Sequence, residues 1–260
     1  MTRSNAFEDD ALWQEYGRTE DYLERIDAVQ RMLPEDISTL LDVGCGRGDV
    51  INALQKNNSD VRAMGMDPFS EALQFVETPS VVASLPHTPF QSRSFDLVIC
   101  LEVLEHIKES DYQRSLMELQ RIAGRYLIIG VPFKENLMHK QAICFDCRKV
   151  SHADDHLRCF DEERAAGLFD QFALEQKALI GVRQRREPVF ASWLRHNISG
   201  VYYKTDIFYC PYCACNVARE IQFQSPLLLR KLTSLLVRVL RRMKPLEPYW
   251  WIGLYRRQNA

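Results

Sequence analysis

The sequence predicts an α/β fold, with a parallel sheet opened by a nucleotide-type βαβ unit and a cysteine-bearing insertion. Three observations predict it. Leu40–Asp49 reads as strand, glycine turn and helix: Leu40, Leu41 and Val43 are apolar, Gly44-Cys45-Gly46-Arg47-Gly48 breaks the run, and Val50, Ile51 and Leu54 resume at helical spacing. Apolar runs then alternate with helically spaced segments as far as Val131, which is the pattern of a parallel sheet. Beyond Phe133 the pattern changes, and two Cys-x-x-Cys pairs appear, Cys144/Cys147 and Cys210/Cys213.

A chain of 260 residues can bury one good core with an added subdomain. Its 46% hydrophobic and 26% charged content is that of an ordinary globular protein, and a formal charge of −2 gives no global argument for a nucleic-acid partner. No stretch approaches the ~20 apolar residues of a membrane span. The first residues, MTRSNAFEDDALWQEYG, hold no apolar signal core, so a cytoplasmic protein is expected. In that compartment the eight cysteines are expected as thiols or metal ligands rather than disulfides.

Taken in order, Leu12, Trp13, Tyr16, Tyr22, Leu23, Ile26, Val29, Met32 and Leu33 are spaced for a leading helix, ended by Pro34. Leu40–Val43 is the first strand, with Asp42 inside it, where a carboxylate is costly unless paired. A second apolar run ends in Asp67, where an acid can accept both hydroxyls of a ribose; an exposed strand-end acid is the plain alternative. Val81–Ser84 is a short third strand and Phe95–Cys100 a fourth. Glu102, Glu105 and His106 follow. On a helix their spacing would set them on one face, fit to hold a divalent metal, although acids at a helix start also suit the dipole. His106 is the candidate general base, since a neutral imidazole can accept a hydroxyl proton near pH 7. Asp111–Ile122 is an amphipathic helix and Tyr126–Val131 a fifth strand, ended by Pro132. Glu162–Phe169 and Phe172–Val182 read as a helix and a sixth strand.

LDVGCGRGD, the strand-end Asp67, SFDLVICLEVLEHI and LIIGVPF, in that order and spacing, resemble the motif series of class I S-adenosylmethionine-dependent methyltransferases over roughly residues 35–135. A dinucleotide dehydrogenase would want GxGxxG, whereas this turn reads Gly44-x-Gly46-x-Gly48. The resemblance implies a Rossmann-like, seven-stranded sandwich whose last strand, Tyr249–Tyr255, runs antiparallel to the sixth. It implies S-adenosylmethionine as cofactor. Asp42 would hold the methionine end, Asp67 the ribose and Ser84 the adenine side, with Gly44, Cys45, Gly46, Pro68, Leu85 and Glu102 as further cofactor-binding residues. The family often has Gly-Asp where this chain has Ala83-Ser84, a departure at the adenine side. The leading helix would lie over the cofactor, which makes Tyr16 and Arg18 candidates beside a purely packing role. Small-RNA 3′-terminal and ubiquinone-pathway methyltransferases use a stretch similar to Glu102–His106 to hold metal, but the stretch also occurs in relatives with no known metal.

Two knuckles supply four thiolates, which is the donor set of a closed, structural zinc site at Cys144, Cys147, Cys210 and Cys213. Cys159 and Cys215 are surplus, and His152 and His156 could replace a cysteine, line a substrate pocket or lie on the surface. HLRCFD at 156–161 resembles a stretch of a zinc-knuckle bacterial subgroup, which points towards polysaccharide biosynthesis and methylation of a glycan hydroxyl. Small-molecule or RNA methylation, and a non-catalytic zinc-stabilised interaction module, are the alternatives. Ser225–Met243 is a basic amphipathic segment that suits either an anionic membrane surface or packing within the protein or a dimer. The expected organisation is a cap at 1–34 and a core at 35–182 plus 248–260, with insertions at 134–160 and 183–247.

Overall fold

The computed structural model describes residues 20–258 apart from 204, 206–207, 216–217 and 220–225. Tyr16, Arg18 and Ser225 lie outside the described residues. The chain divides into two compact units. Among the described residues, one holds 20–133, 160–182 and 248–258, and the other 134–159 and 183–247.

The first unit is built on a seven-stranded sheet. Its strands are β1 (Thr39–Val43), β2 (Arg62–Asp67), β3 (Ser80–Val82), β4 (Phe95–Leu101), β5 (Ala123–Pro132), β6 (Phe172–Ile180) and β7 (Trp250–Arg257), in spatial order 3-2-1-4-5-7-6. β1 to β5 are mutually parallel, and β7 enters antiparallel between β5 and β6. Helices α1 (Glu20–Arg31), α2 (Asp49–Asn57) and α3 (Glu109–Ile122) accompany it. The central strands are apolar on both faces, so each must be covered by helices. Leu40, Leu97, Ile99 and Ile128 pack with Val29 of α1 and Ile51 and Leu54 of α2. Leu41, Val98, Cys100, Leu127 and Ile129 pack with Leu116, Leu119 and Ile122 of α3 and with Trp251. A strand of period two between two helical layers therefore buries neighbouring residues in opposite directions.

Two tethers and one close packing contact fix the frame. The Asp96 carboxylate accepts from the Ser38 and Thr39 amides at 2.8 and 3.1 Å, which locks the start of β1 to β4. Arg257 donates to the carbonyls of Gln120, Ala123 and Gly124, satisfying the end of α3. Gly253 leaves room for the Trp251 indole, which a Cβ there would meet at 2.2 Å. β1 and β4 are sheet neighbours although β2 and β3 intervene in sequence. The order therefore reverses at their carboxyl ends, where an open α/β sheet forms its ligand crevice.

The second unit contains a three-stranded antiparallel sheet of 141–144, 150–152 and 218–219, and helices α4 (Val189–Asn197) and α5 (Leu227–Arg242), which pack on each other. Its two stretches are sewn together by Asn136, whose side-chain amide donates to the Glu187 carbonyl and the Ser192 hydroxyl at 2.8 and 2.9 Å.

Candidate active site

The glycine turn between β1 and α2 has Gly44, Gly46 and Gly48 all at positive φ, 74°, 53° and 82°. This backbone penalises any residue with a Cβ. The three differ in their surroundings. A Cβ on Gly44 would sit 2.3 Å from Val103 Cγ2, whereas one on Gly46 would meet nothing within 4 Å among the described residues. Gly44 is thus demanded by packing, while Gly46 presents bare backbone to open space. The amides of Gly44 and Cys45 both donate to the Met66 carbonyl, at 2.7 and 3.1 Å. The Gly46 amide donates to Asp67 Oδ2 at 2.9 Å, and Asp67 Oδ1 accepts from the Phe69 amide at 2.9 Å. Asp67 therefore closes the end of β2 onto the turn, with further lone pairs on both oxygens.

Asp42 is buried, and its carboxyl is pushed up to about 7, first by burial and then by the charge of Asp67, with Arg25 opposing. Asp67 is also raised by burial, an effect reduced by the Phe69 and Gly46 amides. The buried guanidinium of Arg25 stacks on Tyr22 and Trp250 at 4.9 and 5.2 Å, and its Nε has no hydrogen-bond partner among the described residues. The Tyr22 hydroxyl bonds Asp49 at the start of α2; burial and that acid hold it protonated. Tyr22 and Arg25 escaped the sequence reading. They sit in α1 among apolar positions, and only a buried cation beside the strand-internal Asp42 marks them out.

The other predicted residues are placed as follows. The Cys45 thiol packs under Gly65, where a Cβ would lie 2.9 Å from its sulfur, leaving its backbone as the part that shapes the turn. Pro68 is exposed at the end of β2. The Ala83 amide donates to the Asp67 carbonyl at 3.1 Å, so the segment of Ser84 and Leu85 adjoins Asp67. Ser84 is exposed, and Leu85 is half-buried against the core and followed by a cis peptide to Pro86. The helical spacing expected for Glu102, Glu105 and His106 is not realised. Glu102 takes a left-handed conformation, φ 56°, and only Leu104–His106 forms a short 3-10 turn. The cause is local: the Glu102 amide is bonded to the Gly130 carbonyl at 2.9 Å, which holds it to the sheet rather than to a helix. Glu105 is wholly buried and His106 half-exposed.

In the second unit the four predicted cysteines converge. Cys144 and Cys213 lie 3.4 Å apart, Cys147 and Cys210 3.6 Å, and all four sulfurs are within 4.8 Å of one another. Tetrahedral zinc with 2.3 Å bonds needs sulfurs separated by about 3.8 Å, so the donor set fits that ion. Burial raises the Cys144 thiol, but the Cys147 amide, the Cys213 thiol and the Asp146 amide outweigh it and bring it to about 7, whereas burial pushes Cys210 up to about 12, so Cys144 is the more readily ionised of these two. His152 and His156 stand in a separate group with Glu135 and Asp154. That group is internally neutralised. His156 Nδ1 bonds Glu135, Lys140 bridges Asp154 and Glu135 at 2.5 and 3.9 Å, and the Asp154 and His156 amides lie 3.3 and 3.2 Å from His152 Nδ1.

Residues 41–125 match a family described as a methyltransferase domain. An uncharacterized protein of Methanocaldococcus jannaschii is 28% identical over 124 residues, covering 47% of this chain and 52% of that protein. A ubiquinone biosynthesis O-methyltransferase of Albidiferax ferrireducens is 28% identical over 96 residues, 33% of this chain and 37% of its own. The chain thus spans about half, or less, of the length of these relatives. The structure of Burkholderia thailandensis 1,6-didemethyltoxoflavin-N1-methyltransferase, with bound 1,6-didemethyltoxoflavin and S-adenosylhomocysteine, has a similar fold. Its TM-score is 0.53 at 14% identity, covering 98% of this chain and 88% of that one. Sheet order, glycine turn and the matched domain agree: the chain has a Rossmann-like methyltransferase fold, and its residues 41–125 carry a methyltransferase domain.

Proposed function

We propose that the protein transfers a methyl group from S-adenosylmethionine to a hydroxyl of a small molecule or glycan. The observation that carries this reading is the meeting of a bare glycine turn with two buried carboxylates, Asp42 and Asp67, and a buried cation, Arg25. S-adenosylmethionine, when bound, supplies a methyl group on a sulfonium, with a neutral thioether as leaving group. The residues' task is to bind and orient. Asp67 accepts the ribose hydroxyls on the lone pairs that the Gly46 and Phe69 amides leave free. Asp42 takes the ammonium of the methionine end, and Arg25, with its uncommitted Nε, takes the carboxylate. Gly44 and Gly46 let the backbone come close, and Pro68, Ser84 and Leu85 form the wall next to the strand-end acid. Glu102 lines the end of β4.

Methylating a hydroxyl forms a C–O bond as the C–S bond breaks and releases the hydroxyl proton. His106, half-exposed after β4, takes that proton on a ring nitrogen. Alignment supplies most of the rate, because the electrophile is already activated. The similarity to ubiquinone biosynthesis O-methyltransferases supports a hydroxyl acceptor. The series of first knuckle, HLRCFD and second knuckle favours a glycan, and structural zinc would hold the two knuckles.

Calorimetric titration of S-adenosylmethionine into wild type and Asp67→Ala tests the reading. Micromolar binding, about −8 kcal/mol, is expected for wild type. Loss of charged hydrogen bonds should weaken the variant by roughly 10- to 100-fold. An acceptor screen read by mass spectrometry would follow, using sugar nucleotides, lipid-linked glycans and catechols. If zinc-loaded, folded wild type bound no S-adenosylmethionine, the non-catalytic interaction module would replace this reading.

A further inference from the structure

The helix α5 divides its circumference three ways. Thr233 and Val237 are buried. Arg230, Lys231, Arg238, Arg241 and Arg242 fall on a second arc, by their spacing at 100° per residue. On the third arc stand Leu228, Leu232, Leu235, Leu236 and Val239, continued by Met243, and all are open to solvent, with Leu228 70% and Met243 77% exposed. A row of this length is more than the scattered surface leucines of a soluble domain. The adjoining helix α4 adds Phe190 and Trp193, which stack on each other with ring centroids 6.1 Å apart and are 61% and 44% exposed.

Charge identifies what covers this surface. From Leu227 to Leu246 the chain carries Arg230, Lys231, Arg238, Arg241, Arg242 and Lys244 and no acidic residue, and α4 carries none either. A second copy of the chain would bring two such basic arcs together, with like charges facing across the contact. An anionic lipid surface answers both features: the leucine arc and the aromatic pair enter the acyl boundary, and the basic arc meets headgroup phosphates. No helix among the described residues is long and apolar enough to cross a membrane, so the geometry is that of a helix lying in the interface plane.

We infer that α5, with Phe190 and Trp193 of α4, docks this unit on the surface of an anionic bilayer. The docking uses neither the glycine turn nor the cysteine cluster, so it stands or falls apart from the methyl-transfer reading.

Vesicle flotation of the full, zinc-loaded chain tests it. Wild type should float with phosphatidylcholine vesicles containing phosphatidylglycerol, not with phosphatidylcholine alone, and should be released by added salt. The exposed pair Leu232→Glu/Leu235→Glu should reduce the bound fraction on the order of tenfold or more. Lys231→Glu/Arg238→Glu should do the same through charge. Both variants should keep the wild-type melting temperature and affinity for S-adenosylmethionine, because the four positions lie on exposed faces of α5. The inference is overturned by absence of flotation on the anionic vesicles, or by flotation that these variants leave unchanged. A concentration-dependent dimer in sedimentation velocity that Leu232→Glu/Leu235→Glu abolishes would also overturn it, since a second copy would then cover the leucine arc.

Discussion

Asp42 shows how one buried side chain couples stability to binding. Its folded carboxyl titrates near 7 against an ordinary 3.8, because burial and Asp67 both oppose its charge. Between those values the folded chain holds a proton that the unfolded chain has released. Stability therefore falls as pH rises through that window, by a total on the order of 4 kcal/mol. Asp42→Asn should flatten this slope and melt higher than wild type at about pH 8 in the absence of ligand. The ionised form attracts the cationic methionine end, so wild-type affinity for S-adenosylmethionine should strengthen as pH rises through about 7. Calorimetry across that range should show the dependence in wild type and not in Asp42→Asn. Arg25→Ala should lower the affinity as well, and more than the surface change Arg31→Ala, because only Arg25 is a buried cation beside Asp42.

At the scale of the element, the glycine turn separates stability from ligand access. Gly44→Ala combines a positive φ with a Cβ 2.3 Å from the branched Val103 side chain, which cannot swing away without changing rotamer. A loss of roughly 2–4 kcal/mol is expected, measured by denaturant unfolding. Gly46→Ala meets no atom, so it should cost only the backbone strain, about 1 kcal/mol. Its methyl group would project into the space the cofactor is proposed to fill, and the binding loss should exceed the stability loss. Equal losses in both measurements would assign Gly46 to folding alone. The stretch after β4 teaches a different lesson. Spacing alone suits a helix through Glu102 and His106, but Gly130 of the interior strand β5 captures the Glu102 amide and leaves a single 3-10 turn.

For the whole molecule, the chain leaves the main sheet after Phe133 and re-enters at Phe160, and these two residues pair with each other in a parallel bridge. The second unit is thus threaded through the first in sequence, and among its described residues Ala142, Cys144, Phe208 and Cys210 form a buried apolar cluster. Two of the four cysteines, Cys144 and Cys210, stand in that cluster, so a metal held by the knuckles would tie it together. About one zinc per chain is expected by elemental analysis. Its removal should expose the amides around Cys144 and Cys213 to hydrogen exchange while β4 and β5 stay protected. A metal-free chain with the same exchange pattern would refute structural zinc at these cysteines.

The sequence by itself determined the parallel core. Apolar runs with no polar face can only be strands covered on both sides, and a glycine turn between strand and helix requires backbone freedom that other residues lack. It also determined the four-cysteine set, because two thiols per knuckle are local chemistry that needs only one long-range closure. Tertiary structure alone decided the remainder. Arg25 became a site candidate only when α1 packed and left its Nε buried with no hydrogen-bond partner among the described residues. The Cys45 thiol was turned inward under Gly65, and His152 and His156 joined Glu135 and Lys140 instead of the cysteines. The spacing of the α5 leucines suits packing within the protein or a dimer as well as a membrane surface, since amphipathic spacing states which residues share a face and not what that face meets. The physical reason is common to all four. Periodicity and local chemistry are written along the chain, but burial and charge pairing depend on residues far away in sequence.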